Sequence, residues 1–255
     1  MSGVDPARPG VAVLVLLGIA VAGARLARVR MAGDLAAATV RAVVQLALVA
    51  LVIAWVFRHP EGAAVYLGVM LVAATVTAGR RIDCGGALVP RVGVAIGLGA
   101  LAALVPVLLT GALAPEPRAV LPFAAQVMGG SMTAAALAGS RLRDEATTGW
   151  DQVEGWLALG ATPRQAVGPF GRIAVTRALS PAVDQTRSAG LVTLPGAFVG
   201  LLLGGAGPAQ AAEVQVLVLV GLVAAETVSA AALVRLLGPS YGTARPGPDR
   251  GRSER

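Results

Sequence analysis

Lysine is absent from these 255 residues, and histidine and cysteine occur once each. A nucleotide-binding P-loop needs a lysine that reaches the β- and γ-phosphates, so this sequence contains no P-loop. The single cysteine, Cys84, has no second cysteine for a disulfide and no nearby histidine with which to share a metal. We therefore interpret Cys84 as a bystander.

Charged residues are also scarce, at 14% of the chain, whereas 56% is hydrophobic and 33 residues are glycine. A soluble domain of this size would need far more polar surface, so the composition indicates a polytopic membrane protein. The net charge of +7 comes from arginines in the short gaps between apolar runs. Because these arginines form no continuous stripe, they argue against a nucleic-acid-binding protein.

Seven apolar runs predict an all-α fold with about seven transmembrane helices. The first run is followed, not preceded, by its positive charges, which favours an uncleaved helix over a signal peptide. Residues 1–238 form the transmembrane domain, and the Arg-, Pro- and Gly-rich residues 239–255 are expected to be a disordered tail. The predicted runs are 11–24, 42–57, 63–79, 92–114, 119–140, 188–205 and 214–237.

The arginines predict the orientation. If the charged segment 141–187 is cytoplasmic, eighteen arginines lie inside and three outside. The N-terminus is then outside, and the C-terminus is cytoplasmic. An intramembrane hydrolase would need a base near a nucleophile, but His59 and Cys84 fall on opposite sides, so we set that reading aside.

Within the charged segment, residues 153–167 predict a helix, a glycine corner and a second helix. Val153, Trp156, Leu157 and Leu159 gather towards one side of the first helix. Gly160 ends that helix, and Thr162 with Pro163 is a good start for the next one. On pattern alone, an interfacial loop helix and a partner-docking helix are equally good interpretations.

The spacing of Glu154, Gly160, Ala161 and Thr162 resembles the cytoplasmic coupling loop of ABC-transporter permeases, which sits in a cleft of the ATPase subunit. The run LALGAT is similar to one in a narrower family, that of the bacterial FetB iron-export permeases and plant aluminium-tolerance permeases. The resemblance implies that residues 141–187 form a coupling loop. The implied coupling residues are Glu154, Trp156, Leu157, Gly160, Ala161 and Thr162.

Residues 190–216 resemble the same family's Leu-Pro-Gly signature, and residues 128–142 resemble its Gly-Met-x-x-Gly-Asn-Ser-Met run. The sequence departs from these patterns at Ala197 and Phe198, where the family has a methionine pair, and at Leu201 and Gly130, where it has Gln and Asn. Thioether and amide ligands are thereby lost. Transport is still implied, but iron as the cargo does not follow.

Proline at 195 breaks the sixth run, and such breaks either line cavities or are packing kinks. Glu226 lies in the middle of the seventh run, where an ionisable group is a functional candidate by default. The alternative is a structural role, in which the Glu226 carboxyl is hydrogen-bonded to Thr227, Ser229 or Gln45. The predicted translocation path comprises Gln45, Met128, Ser131, Leu194, Pro195, Gly196, Gly200 and Glu226.

The resemblance therefore implies the permease subunit of an ATP-driven transporter in a bacterial inner membrane, exporting a metal ion or a small solute. No cofactor is bound directly; ATP and Mg are expected on a partner ABC ATPase subunit, and two copies of the chain form a homodimer in the lipid bilayer. The alternative is an ion- or proton-coupled secondary transporter that uses Glu226. That alternative would need no ATPase.

Overall fold

The computed structural model describes residues 7–29 and 32–243. Within these residues every regular element is a helix, and one isolated bridge joins Ala189 to Thr193. The chain divides into two compact units, Met1–Pro60 and Glu61–Arg255. The α-helices of the described residues are α1 Ala7–Leu26, α2 Ala32–Val56, α3 Gly62–Ile82, α4 Val89–Leu109, α5 Pro117–Thr148, α6 Trp150–Ala158, α7 Pro163–Ser188, α8 Gly196–Leu203 and α9 Pro208–Tyr241.

Five helical segments are long and apolar enough to cross a membrane, and α1 contains a shorter apolar helix, Gly10–Leu26. These six segments match six of the seven predicted runs, so the prediction of an all-helical, multi-pass membrane protein is confirmed. The five long segments are Gly33–Val56, Gly62–Ile82, Gly86–Leu109, Pro117–Thr148 and Pro208–Tyr241.

The first unit contains α1 and α2, which pack on each other. The second helix begins at Ala32, ten residues before the predicted run, so Arg41 lies inside it. Gln45 follows Arg41 by one turn on α2. An arginine in this position can extend its aliphatic stem along the helix towards a polar interface.

The second unit is built around α5 and α9. The α5 helix packs against α3, α4, α7 and α9, and the α9 helix packs against α4, α5, α7 and α8. Small residues make this close packing possible. A Cβ added to Gly99 of α4 would lie 2.5 Å from the carbonyl oxygen of Ala225 on α9, so these two helices are in backbone contact there.

The charged segment 141–187 differs from the predicted surface loop. Its first residues belong to α5, which continues to Thr148, and α7 occupies Pro163–Ser188. The α7 helix packs along both α5 and α9. Its start lies at the end of α9, where a Cβ on Gly242 would be 2.5 Å from the carbonyl oxygen of Pro163. Farther along, Gly171 lies against Val234, so α7 runs antiparallel to α9.

No continuous helix covers residues 188–205, where a spanning helix was predicted. The chain leaves helical geometry after Ser188, with Gly190 at a φ of +83°, and resumes as the eight-residue helix α8. Pro195 is the N-cap of α8 with an extended ψ of 150°. Eight residues cover about 12 Å, which is too short for a bilayer.

The C-terminal boundary also differs from its prediction. Residues 239–241 belong to the last turn of α9, although the disordered tail was expected from residue 239. Residues 244–255 of the predicted tail lie outside the described residues.

Candidate functional site: a cavity and a corner along α7

The corner between α6 and α7 has the predicted helix, glycine and helix. The α6 helix ends at Ala158, and Gly160 adopts a φ of +89°, which a residue with a Cβ rarely adopts. Thr162 then caps α7: its Oγ1 accepts from the backbone N–H of Gln165, and the Gln165 Oε1 accepts from the backbone N–H of Thr162 at 2.9 Å. Pro163 occupies the first helical position. Local capping chemistry therefore forms the corner.

Only part of the predicted apolar side of α6 packs against the protein. Val153 is fully buried and Leu157 is half-buried, whereas Trp156 and Leu159 are 52% and 82% exposed. The remaining predicted coupling residues are exposed or half-buried: Glu154, Gly160, Ala161 and Thr162. The corner is thus anchored through Val153 and presents a large aromatic and a leucine to its surroundings. Exposed large apolar side chains next to polar ones are typical of interaction surfaces.

Ion pairs hold α3, α5 and α7 together near this corner. Arg143 of α5 donates to Asp83 at 2.9 Å, and Arg177 of α7 pairs with Glu145 of α5. Glu145 is one of three acidic residues in the charged segment, with Asp144 and Asp151. Its partner on α7 could not be expected while α7 was interpreted as a surface segment.

A cavity of about 470 Å³ lies between α5, α7 and α9. Its polar lining is Glu226 from α9, Gln126 and Thr133 from α5, and Gln185 from α7. Glycine, alanine, leucine and Pro181 make up the rest of the lining. Glu226 supplies the one ionisable group that lines the cavity among the described residues.

Small residues on α5 create the space for the Glu226 side chain. A Cβ added to Gly130 would lie 2.8 Å from the Oε1 atom of Glu226 and 2.7 Å from the Cδ2 atom of Leu222. The neighbouring Gly129 faces open space, with nothing within 4 Å of the same added atom. The family pattern has an asparagine at position 130, and an asparagine side chain would meet Glu226 there. The glycine leaves the carboxyl facing the cavity.

Glu226 has no hydrogen-bond or ion-pair partner among the described residues of the second unit. The structural alternative gave Glu226 two possible hydrogen-bond partners on α9, and both hydroxyls donate to backbone carbonyls instead. Thr227 donates to the carbonyl oxygen of Val223 at 2.7 Å, and Ser229 donates to that of Ser131 at 3.0 Å. Gln45, the third named partner, is on α2 in the first unit.

Two residues of the predicted path lie in the core. Met128 is 7% exposed and Ser131 is fully buried, and neither lines the cavity. The cavity is instead lined by residues beside them on α5, including Gly129, Gly130 and Thr133. The predicted path residues therefore lie on the same stretch of α5 as the cavity lining but on another face of the helix.

The Leu-Pro-Gly segment lies at the start of α8. Leu194 is 63% exposed, and Pro195, Gly196 and Gly200 lie outside the cavity lining. The Oε1 atom of Gln215 on α9 accepts a hydrogen bond from the backbone N–H of Phe198 at 3.1 Å. Gln215 is buried, so its amide satisfies one of the free N–H groups at the start of α8 and fixes this half-helix to α9.

Neither Gln185 nor Gln126 was among the predicted site residues. A signal exists for both in the periodicity of small and polar residues. Residues 126, 129, 130, 133 and 137 of α5 and residues 178, 181, 182 and 185 of α7 follow the three- and four-residue spacing of one helix face. That signal is meaningful only once residues 163–188 are known to be a packed helix.

The described residues contain no group of three or more His, Cys, Asp or Glu side chains that could hold a metal ion. Five helical segments that are long and apolar enough to cross a membrane define a multi-pass membrane protein. The chain belongs to the family UPF0014, which is described as an uncharacterised protein family and matches residues 10–241.

Three curated relatives cover most of the chain. The UPF0014 membrane protein STAR2 of Oryza sativa subsp. japonica is 32% identical over 94% of this chain and 89% of its own length. The protein ALUMINUM SENSITIVE 3 of Arabidopsis thaliana is 32% identical over 92% of this chain and 87% of its own. The Probable iron export permease protein FetB of Escherichia coli is 31% identical over 70% of each. No solved structure matches the chain.

Proposed function

We propose that this chain is the membrane-spanning permease subunit of an ATP-driven transporter in a bacterial inner membrane, and that it exports a cation. The observation that carries the proposal is the unpaired Glu226 carboxylate in the cavity between α5, α7 and α9. A carboxylate in a low-dielectric region without a partner attracts a cation strongly. Export follows the name of the Escherichia coli relative.

The cavity lining favours a hard or organic cation over a soft metal. Oxygen atoms from Glu226, Gln126, Gln185 and Thr133 face the cavity, and such donors suit hard cations. The nearby thioether of Met128 is buried in the core. One carboxylate neutralises one positive charge, so two copies of the chain would bring the two carboxylates that a divalent cation needs.

The α7 helix links the corner to the cavity. It begins at the corner with Pro163, and Ala182 and Gln185 near its other end line the cavity. A partner ATPase that moves the corner would therefore move one wall of the cavity. Pro169 and Pro181 lie inside α7 and interrupt its backbone hydrogen bonds, so they supply points at which the helix can bend.

A separate ATPase subunit supplies the energy in this proposal. The sequence contains no lysine for a P-loop, so nucleotide and Mg would be held by the partner. Trp156 and Leu159 are the exposed apolar groups that would enter a cleft of that subunit. Trp residues at interfaces commonly contribute a large share of the binding free energy.

The first test is purification of the tagged chain from its native membrane in mild detergent, followed by mass spectrometry. A stoichiometric P-loop ATPase in the preparation is the expected result. The chain carrying Trp156→Ala should lose this ATPase while it remains in the membrane. Reproducible absence of an ATPase from the wild-type preparation would overturn the ATP-driven proposal.

The second test separates docking from coupling. Gly160→Leu places a side chain at a φ of +89°, so the corner must change shape, and ATP hydrolysis should continue without transport. Gly111→Leu is the matched control, since Gly111 also has a positive φ, +68°, and open space around it. Equal coupling ratios in the two variants would remove the corner from the mechanism.

An ion- or proton-coupled secondary transporter is the second candidate, favoured by the same unpaired carboxylate. A single intramembrane carboxyl can bind a proton and a cation in turn. This candidate predicts gradient-driven transport in vesicles that contain the chain alone. Transport that requires both ATP and the partner subunit would reject it.

A further inference from the structure

A second hollow, of about 510 Å³, lies between α7 and α9 on the corner side of the Glu226 cavity. Its walls are apolar and small: valines at 167, 175 and 234, an alanine at 231 and glycines at 168, 171 and 238. Nothing lies within 4 Å of a Cβ added to Gly168 or Gly238. The groove is therefore open at these two glycines, where a side chain would otherwise fill it.

Three arginines surround this groove: Arg164 and Arg172 of α7 and Arg235 of α9. All three are exposed, and no side chain of the three makes an ion pair or a hydrogen bond with a described residue. The other arginines of α7 differ, because Arg177 pairs with Glu145 and Arg187 lies 3.8 Å from Asp184. The groove thus carries three positive charges without a counter-charge from the protein.

The position of the groove along the helices matches the edge of a bilayer. The α9 helix has 34 residues, about 51 Å at helical rise, whereas the hydrocarbon core of a bilayer is about 30 Å thick. About two-fifths of α9 therefore lies beyond the hydrocarbon. Arg235 is six residues from the end of α9, and Val234 meets Gly171 of α7 at the same level. An arginine this close to the end of a spanning helix can reach the headgroup level, and the apolar walls are suited to an acyl chain.

We propose that this groove binds an anionic phospholipid, with its phosphate held by Arg172 and Arg235, which lie at the same level, with Arg164 adding positive charge towards the corner, and with an acyl chain lying along the valine and glycine walls. Guanidinium groups bind phosphate oxygens in a fork geometry, and basic pockets between spanning helices suit acidic headgroups. The charge of the groove excludes a neutral lipid as the preferred occupant. A bound lipid would brace α7 against α9 between the corner and the Glu226 cavity.

Native mass spectrometry of the purified full chain with dioleoyl phosphatidylglycerol, and separately with dioleoyl phosphatidylcholine, tests the proposal. We expect retained phosphatidylglycerol at one per chain and little phosphatidylcholine. Each of Arg172→Gln and Arg235→Gln should weaken phosphatidylglycerol binding about fivefold, and the double variant about 25-fold if the effects add. Arg141→Gln is the control, since this exposed arginine of α5 lies outside the groove, and it should bind as wild type does.

Gly168→Leu tests the acyl-chain part of the site. Nothing lies within 4 Å of a Cβ at Gly168, so the fold should persist while the leucine side chain fills the groove and phosphatidylglycerol is lost. Equal retention of both lipids, or full retention by the double arginine variant, would overturn the proposal. So would competition by millimolar inorganic phosphate, which would indicate a free-anion site. Dissociation of a homodimer by Gly168→Leu would assign the groove to a second copy instead.

Discussion

Two hollows lie along α7, and they differ in charge, lining and position. The cavity towards the end of α7 is lined by one carboxylate, two amides and a hydroxyl. The groove near the start of α7 is lined by apolar side chains and three arginines. One helix therefore borders a space suited to a cation and a space suited to an anion. The comparison indicates that α7, although it carries four arginines, is a structural member of the helix bundle.

The largest effect is expected from removal of the charge in the cavity. Glu226→Gln keeps the shape of the side chain but removes its charge, so a bound cation loses its counter-ion. We expect transport of the cargo to fall roughly tenfold or more, which is the magnitude for one charge-assisted contact. ATP-dependent uptake of ferrous iron or Mg²⁺ into inside-out vesicles, with the partner ATPase present, measures the change.

Glu213→Gln is the control for that experiment, because Glu213 is an exposed carboxylate on the same helix outside the cavity. Phosphatidylglycerol binding should be unchanged in both variants, since neither touches the arginine groove. If the Glu226 variant takes up the cargo as wild type does, Glu226 is not needed for transport, and the proposed role of the cavity is contradicted.

The next effect comes from filling the same cavity. Gly130→Leu places its Cβ 2.8 Å from the Glu226 Oε1 atom and 2.7 Å from Leu222, so these side chains must shift. We expect a loss of about 1–3 kcal/mol in the free energy of unfolding, together with reduced transport. Gly129→Ala is the matched control, since its Cβ meets nothing within 4 Å. Thermal unfolding in detergent compares the two variants. Equal unfolding midpoints would contradict the close contact of α5 with α9 at Gly130.

A smaller effect is expected where α7 begins. Thr162→Ala removes the hydroxyl that caps the helix, which costs about 1 kcal/mol in the free energy of unfolding. Thr186→Ala is the control: its hydroxyl only bonds back to Ala182 within the helix, so its loss should be nearly neutral. If the two variants unfold at the same temperature, the capping box does not stabilise the start of α7.

The smallest effect concerns Cys84, which lies near the corner end of the bundle. Burial raises the pKa of its thiol above the ordinary value, and Asp83 raises it further. At neutral pH the thiolate fraction is therefore lower than in an exposed cysteine, and alkylation by a maleimide should be slower than that of a free peptide thiol. The rate should rise with pH and level off at a higher pH than that of a free peptide thiol. Rapid labelling at pH 7 would show that the loop after α3 opens.

Sequence reasoning predicted the parts of the fold that depend on local chemistry. Long apolar segments identified the helices that can cross a bilayer, because their residues gain free energy in lipid independently of their neighbours. The corner at Gly160 was predictable because a left-handed glycine and a capping box act within six residues. The break at Pro195 followed from the missing N–H of a single residue.

The same reasoning failed for α7 because hydropathy averages over all faces of a helix. Arg164, Arg172, Arg177 and Arg187 make the segment resemble a water-facing loop, whereas Ala166, Ala174, Ala178 and Ala182 face the bundle. The apolar run after it, residues 188–205, was predicted to be a spanning helix instead. Arg177 pairs with Glu145, more than thirty positions away, and this contact cannot be read from the sequence of either segment.

The sequence by itself therefore determined the class of protein, most of its spanning helices and the chemistry of its helix ends, since each depends on residues close together in the chain. Only the tertiary structure decided which polar groups share a space. Glu226, Gln126 and Gln185 meet because α5, α7 and α9 pack at glycine and alanine positions, and Arg172 and Arg235 meet for the same reason. Contacts between residues distant in sequence are set by the packing of whole helices, which no local pattern records.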